Sequence, residues 1–169
     1  MLTLSIAIRL VVFCALVLLA VIDIRSRRLP TNIVLVIGGL FFVDAVLRHM
    51  PLDTMIAHLV VAIGVFLVCA LLFAARMLGG GDAKLAAVIF LWAGVGLSLP
   101  ALSLISVTGM FVSLISLATR NMNPDRHAMP MRALALFSGA RGVPYGVALA
   151  CGGIAVIVLP VVLPLILTR

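Results

Sequence analysis

The chain contains no glutamate, and aspartate occurs only five times in 169 residues, as Asp23, Asp44, Asp53, Asp82 and Asp125. Charged residues of both signs make up 10% and aromatic residues 6%, with one Trp and one Tyr. So few charges exclude an ordinary soluble surface, since a typical soluble domain is about a quarter charged. The three cysteines, Cys14, Cys69 and Cys151, form no CxxC and stand at no Cys/His spacing. That excludes a zinc module, and they read as small apolar packing residues. His49, His58 and His127 are scattered and have no metal-type neighbour in the sequence. They read as structural or exposed, and no metal or cofactor is expected.

What the chain has instead is apolar length. Hydrophobic residues make up 65% of it, more than a single soluble core can bury, so lipid must cover the remainder. Six candidate spans follow: Leu4–Ile22, Asn32–Leu47, Ile56–Ala75, Ala83–Leu99, Leu102–Thr119 and Val143–Leu167. Each approaches the ~20 residues of a spanning helix, the second and fourth being short. Pro160 and Pro164 predict a kink or an early end in the last. The expected fold is an all-α, polytopic membrane helix bundle of about six transmembrane helices. Residues 1–169 form a single integral membrane domain with no separate soluble module.

The net charge of +7 is distributed by loop, which argues for membrane topology and against nucleic acid. Arg25, Arg27 and Arg28 fill the first loop, Arg76 and Lys84 flank the third, and Arg120, Arg126, Arg132 and Arg141 surround the fifth. The second loop has Arg48 and His49 offset by Asp53, and the fourth has no charge. An excess of Lys and Arg marks the cytoplasmic side, so the odd loops are cytoplasmic and both termini face outward. Arg9, inside the first span, is expected to snorkel to the outer surface. No small-x-small site follows the first span, so it reads as a retained helix and not as a cleaved signal.

Three aspartates have ordinary explanations. Asp44 stands four residues before Arg48, the spacing of an intrahelical ion pair. Asp53 follows Pro51 and reads as a helix N-cap. Asp125 lies in the polar turn Asn121–Arg126 and reads as a solvated loop charge. Asp23 and Asp82 remain, 58 positions apart in the sequence but both assigned to the cytoplasmic boundary. Asp23 also suits a partner for Arg25, Arg27 or Arg28, and Asp82 also suits an N-cap of the fourth helix, where the dipole favours its charge. Their shared depth favours a pair. Two carboxylates brought together at a low-dielectric boundary do not readily both ionise, and share one proton. The ionised member deprotonates a water while the protonated one donates to a carbonyl oxygen, which is metal-free general acid–base hydrolysis. Before Asp82 stand Gly79, Gly80 and Gly81, expected to let the backbone bend and approach a neighbour closely.

Three segments in order now resemble the type IV prepilin peptidases, membrane aspartic proteases that remove the leader of prepilins. Asp23-Ile24-Arg25-Ser26-Arg27-Arg28-Leu29-Pro30-Thr31-Asn32 is similar to the family's Asp, basic stretch, Leu/Ile-Pro and Asn/Asp. Gly79-Gly80-Gly81-Asp82-Ala83-Lys84 matches its Gly-x-Gly-Asp-x-Lys, and Val143-Pro144-Tyr145-Gly146 is similar to its Pro-Tyr-Gly segment before the last helix. Thr31 departs from the pattern, because the family has Asn or Asp directly after the proline. The resemblance implies a catalytic pair at Asp23 and Asp82, motif turn residues at Gly79 and Gly81, and the motif's basic position at Lys84. Lys84 would orient the pair, meet substrate or anchor the cytoplasmic side. The CxxC-bearing insert of long members is missing, so the chain resembles the short, Flp/Tad-type peptidases without methyltransferase activity.

The implied partners are a prepilin, Flp-like, and the lipid bilayer of the cytoplasmic (inner) membrane, with the site facing the cytoplasm. The substrate's apolar helix is expected to dock between spans, with Gly38, Gly39, Gly64 and Gly94 allowing close approach. The segment 121–141 reads as a cover over the site or as a plain connecting loop. The competing reading is a small transporter or a pilus-assembly subunit without protease activity. A transporter calls for internal repeats, and none is seen.

Overall fold

The computed structural model describes residues 2–27, 29–119 and 145–167. Arg28, Arg120, Asp125, His127, Pro144 and the polar stretch 121–141 lie outside them. Every regular element among the described residues is a helix, with no strand: α1 (Leu2–Ser26), α2 (Thr31–Leu47), α3 (Leu52–Ala74), α4 (Gly80–Ala118) and α5 (Tyr145–Leu167). Of these, α1, α3 and α4 are long and apolar enough to cross a bilayer.

The ends of the first three helices share one device. Arg27, His49 and Arg76 each adopt positive φ, at 54°, 52° and 60°, just past α1, α2 and α3. At α2 the His49 and Met50 N–H groups return to the Val46 and Ala45 carbonyls, and at α3 those of Arg76 and Met77 return to Phe73 and Leu72. Both are Schellman closures, which satisfy carbonyls that a helix end leaves bare and turn the chain sharply. Asp53 is not a cap. Pro51 holds the N-cap position of α3, and Asp53 sits within the first turn.

α4 contains the principal departure from the expected boundaries. No loop separates a helix ending at Leu99 from one starting at Leu102. The break falls at Gly94, whose φ of 58° and ψ of −165° leave helical space. Only glycine adopts such a conformation without strain. Pro100 is accommodated inside the second leg, residues 95–118. In α5 the helix likewise continues through Pro160 and Pro164 to Leu167, so the early end expected there does not occur.

Contacts fix the directions of the helices. Gly109 faces Ala148, while Gly152 lies against Ile105 and the Ala101 carbonyl, so α5 runs antiparallel to the second leg. Gly153 lies against Ile89 of the first leg, residues 80–93, and Tyr145 and Asp82 share one cleft. α5 is therefore parallel to the first leg, and the two legs of α4 form a hairpin. α3 is antiparallel to the first leg, with Phe73 against Gly80 at one end and His58 against Leu91 at the other. α2 is parallel to that leg, with Thr31 bonded to Lys84 and the Ile37 carbonyl to Trp92.

The first leg is the centre of the bundle, with Ala83, Leu85, Ala86 and 89–93 all buried. Val12, Leu16 and Leu19 of α1 and Val34, Ile37 and Phe41 of α2 pack with it. α3 fully buries only Ala62; Met55, Leu59, Val61, Val65 and Cys69 pack partly buried against the core, and Val60, Ile63, Leu67 and Leu71 face outward. Lipid is as apolar as these side chains, so close packing and internal polar bonds hold the helices together.

The end of the bundle at Gly94 carries those polar bonds. His58 Nδ1 donates to the Leu91 carbonyl at 2.7 Å, one of the carbonyls near the break. Trp92 Nε1 donates to the Ile37 carbonyl at 3.1 Å. Arg9 does not snorkel. It is 8% exposed, pairs with Asp44 Oδ2 at 2.9 Å, donates to the Ile157 carbonyl at 3.1 Å and lies over the Trp92 ring. Ser5 donates to the other Asp44 oxygen. The expected Asp44–Arg48 pair is a distant 3.9 Å contact with a half-exposed arginine, so the long-range partner dominates. Pro160 takes away the helical donor to the Val156 carbonyl, and Arg9 bonds the next carbonyl along.

Candidate active site

Asp23 and Asp82 are brought to the opposite end of the bundle. There the C-terminal ends of α1 and α3 meet the N-terminal ends of α2, the first leg and α5. Asp23 lies in the last turn of α1, which continues past it to Ser26. The residue is 5% exposed, and its carboxylate accepts the backbone N–H groups of Gly146 and Val147. These are the second and third residues of α5, where a helix has unused donors and the positive end of its dipole. Arg27 places a cation beside Asp23, and its own N–H bonds the Asp23 carbonyl at 2.9 Å. Asp23 Oδ2 is buried with no hydrogen-bond partner among the described residues.

Asp82 is the third residue of α4, after the N-cap Gly79. Its carboxylate accepts the Gly79 N–H, the reach-back half of a capping box. It is therefore not itself the cap. The two carboxylates line one cavity of about 250 Å³ with Arg27, Leu29 and Gly79–Gly81, near enough for the charge on Asp23 to act on Asp82. At ~30 Å³ per water, that volume holds several waters or a stretch of peptide backbone.

The motif glycines serve close approach and not a sharp bend. Gly94 is the one described glycine with positive φ, and Gly79 has φ −74° and ψ 142°, open to any residue. A Cβ at Gly79 would lie 2.6 Å from Asp82 Oδ2, and one at Gly81 2.9 Å from Leu29 Cβ. At Gly146 a Cβ would meet both the carboxyl carbon and Oδ2 of Asp23 at 2.8 Å. Each glycine lets backbone reach one wall of the cavity.

Lys84 lies outside the residues that line this cavity. It is exposed, and its Nζ donates to Thr31 Oγ1 at 3.2 Å. The residue that departs from the prepilin peptidase pattern is thus the one that meets the motif's basic position. Of the glycines expected to receive a substrate helix, two have neighbours within the bundle and two face open space. Gly38 packs on Val88, Gly39 and Gly64 face nothing within 4 Å, and Gly94 forms the break against His58. The sequence reading missed the Gly146 and Val147 N–H groups as partners of Asp23. The available signal was a Pro-Tyr-Gly start to an apolar helix, because such a start presents bare donors to an anion.

An all-helical membrane protein with two acidic side chains on one cavity at its bundle end is the class that fold and site define. Among the described residues no group of three or more His, Cys, Asp or Glu comes together as a metal site. The chain belongs to the type IV leader peptidase family, whose model matches residues 10–114 and so includes both Asp23 and Asp82. No curated protein and no solved structure matches it.

Proposed function

We propose that this membrane peptidase is an aspartic-type endopeptidase that removes the leader of prepilin-like, Flp-type substrates, with Asp23 and Asp82 as its catalytic pair. The observation that carries the reading is that the two carboxylates left over in the sequence line a single cavity. Family membership supplies the peptidase activity.

The surroundings divide the work between the two acids. Two helix-terminal N–H groups and Arg27 face Asp23, so the negative charge belongs there and Asp23 is the general base. Asp82, with one N–H donor, carries the shared proton. Asp23 takes a proton from a water whose oxygen attacks the scissile carbonyl, and Asp82 gives its proton to the carbonyl oxygen. The tetrahedral diol then collapses. Asp23 passes its proton to the departing amine, the C–N bond breaks, and Asp82 recovers a proton from the diol hydroxyl as the new carboxyl forms. The free ends leave with both acids restored.

The same reading makes residues 1–169 one domain of six spans, with the two legs of α4 as separate crossings and both termini outside. The site faces the cytoplasm across the inner membrane. Arg25, Arg76 and Lys84, all exposed at the site end, support that orientation through the positive-inside rule. Methyl transfer is not part of the activity. Asp23→Asn and Asp82→Asn proteins, purified in detergent and given a prepilin with its leader, are expected to cleave nothing while remaining inserted and folded. Cleavage by either variant near the wild-type rate overturns the pair.

A further inference from the structure

A second cavity, of about 390 Å³, adjoins the first, and Asp82 lines both. Its walls are of another kind. α3 supplies Cys69 and Leu72, the second leg of α4 supplies Ser106, Gly109 and Met110, and α5 supplies Tyr145. Along the second leg the lining runs from Ser113 to Ile105, two helical turns or about 12 Å away from the acidic pair. We propose that this cleft binds the first turn or so of the substrate's apolar segment, next to the bond being cut. The proposal rests on the peptidase reading and names where its substrate lies.

Size argues for that occupant. One turn of an α-helix, a cylinder about 10 Å wide and 5.4 Å long, fills about 420 Å³, whereas three turns need more than 1,200 Å³. The cleft is therefore on the scale of one turn, or of a few residues of extended chain. Its composition is apolar apart from Asp82, Tyr145 and two serines, which suits a segment drawn from the bilayer. Gly109 points the same way. A Cβ there would sit 3.7 Å from the Ala148 Cβ, an ordinary contact, so internal packing does not require a glycine. Its effect is to keep the cleft deep. A second copy of this chain lodged there would cover Asp82 permanently, so the occupant must be one that enters and leaves.

The test uses two substrates: a full prepilin, and a soluble peptide that holds the leader and the scissile bond and ends at the single residue beyond it. Ser106→Phe and Gly109→Leu, which fill the cleft, are expected to raise KM for the full prepilin by about tenfold or more. For the short peptide they should leave kcat/KM within about twofold of wild type. Because a bulky residue can also disturb folding, a second measurement uses Cys69. In a Cys14→Ala, Cys151→Ala, Asp82→Asn background, a prepilin with one cysteine in the first turns of its apolar segment is expected to form a disulfide with Cys69. Equal loss on both substrates by folded variants overturns the proposal, as does no loss on either. A cross-link from a photoreactive group at position 110 to the chain's own residues 120–144 also overturns it. Wild-type protein that cuts neither substrate removes the peptidase reading itself.

Discussion

Gly146→Ala offers a sharp test of how α5 serves the site. A Cβ at position 146 would meet the carboxyl carbon and Oδ2 of Asp23 at 2.8 Å and its Cβ at 3.1 Å, where ordinary contact begins at 3.4 Å. The gap must open by about 0.6 Å, either by retreat of Asp23 or by withdrawal of α5. Both movements stretch the Gly146 and Val147 N–H bonds and shift the base relative to Asp82. A misplacement of ~1 Å in a reacting group costs about 10²-fold, so a shift of this size predicts a fall in kcat of about 10- to 100-fold. KM should hold, since Gly146 is not among the residues lining the apolar cleft. Leader cleavage by detergent-purified protein, measured over substrate concentration, gives both parameters. Gly39→Ala, with nothing within 4 Å, is the matched control and should be neutral or slightly stabilising, as alanine favours a helix over glycine by ~1 kcal/mol. If Gly146→Ala cleaves within about twofold of wild type, α5 does not hold Asp23 during the reaction.

Two further outcomes follow from polar contacts. Arg9→Leu or Asp44→Leu alone leaves a buried charge without its partner and should destabilise by about 3–5 kcal/mol, while the double variant should lose much less. Thermal unfolding in detergent reads this, and additive losses would show that the pair does not act as a unit. Lys84→Ala removes an exposed hydrogen bond to Thr31 of a kind worth ~1 kcal/mol or less, so cleavage should stay within about fivefold of wild type; a loss as complete as that of Asp82→Asn would place Lys84 in the reaction.

The bundle and its acidic pair were legible because both depend on strong, local signals. Long apolar runs mark the helices, and α2 and α3 end within a residue of the expected positions. Elimination singled out Asp23 and Asp82 because every other aspartate had a neighbour to explain it. That logic failed for Asp44. Arg48 stands at ideal helical spacing, yet Arg9, 35 residues away, lies a full ångström closer. Helix spacing cannot rank a nearby partner against a distant one that the fold delivers to a dry interior. Likewise Pro100 resembled a boundary, whereas the chain reverses at Gly94, because a proline near the start of a helical leg is easily accommodated and a left-handed residue is not. The donors that hold Asp23 are backbone groups, marked in the sequence only by the Pro-Tyr-Gly start of α5.

The buried Arg9–Asp44 pair has a consequence for how the protein is made. Each charge alone opposes insertion into the bilayer, so α1 and α2 enter it most favourably together, neutralised as a pair. Arg9 then has a donor to spare for the Ile157 carbonyl, and α5 follows the other described helices in chain order. The same helix brings the N–H groups that bind Asp23. A nascent chain thus carries both acids into the membrane long before it carries the element that organises them, and an unfinished copy has no assembled site with which to cut its neighbours.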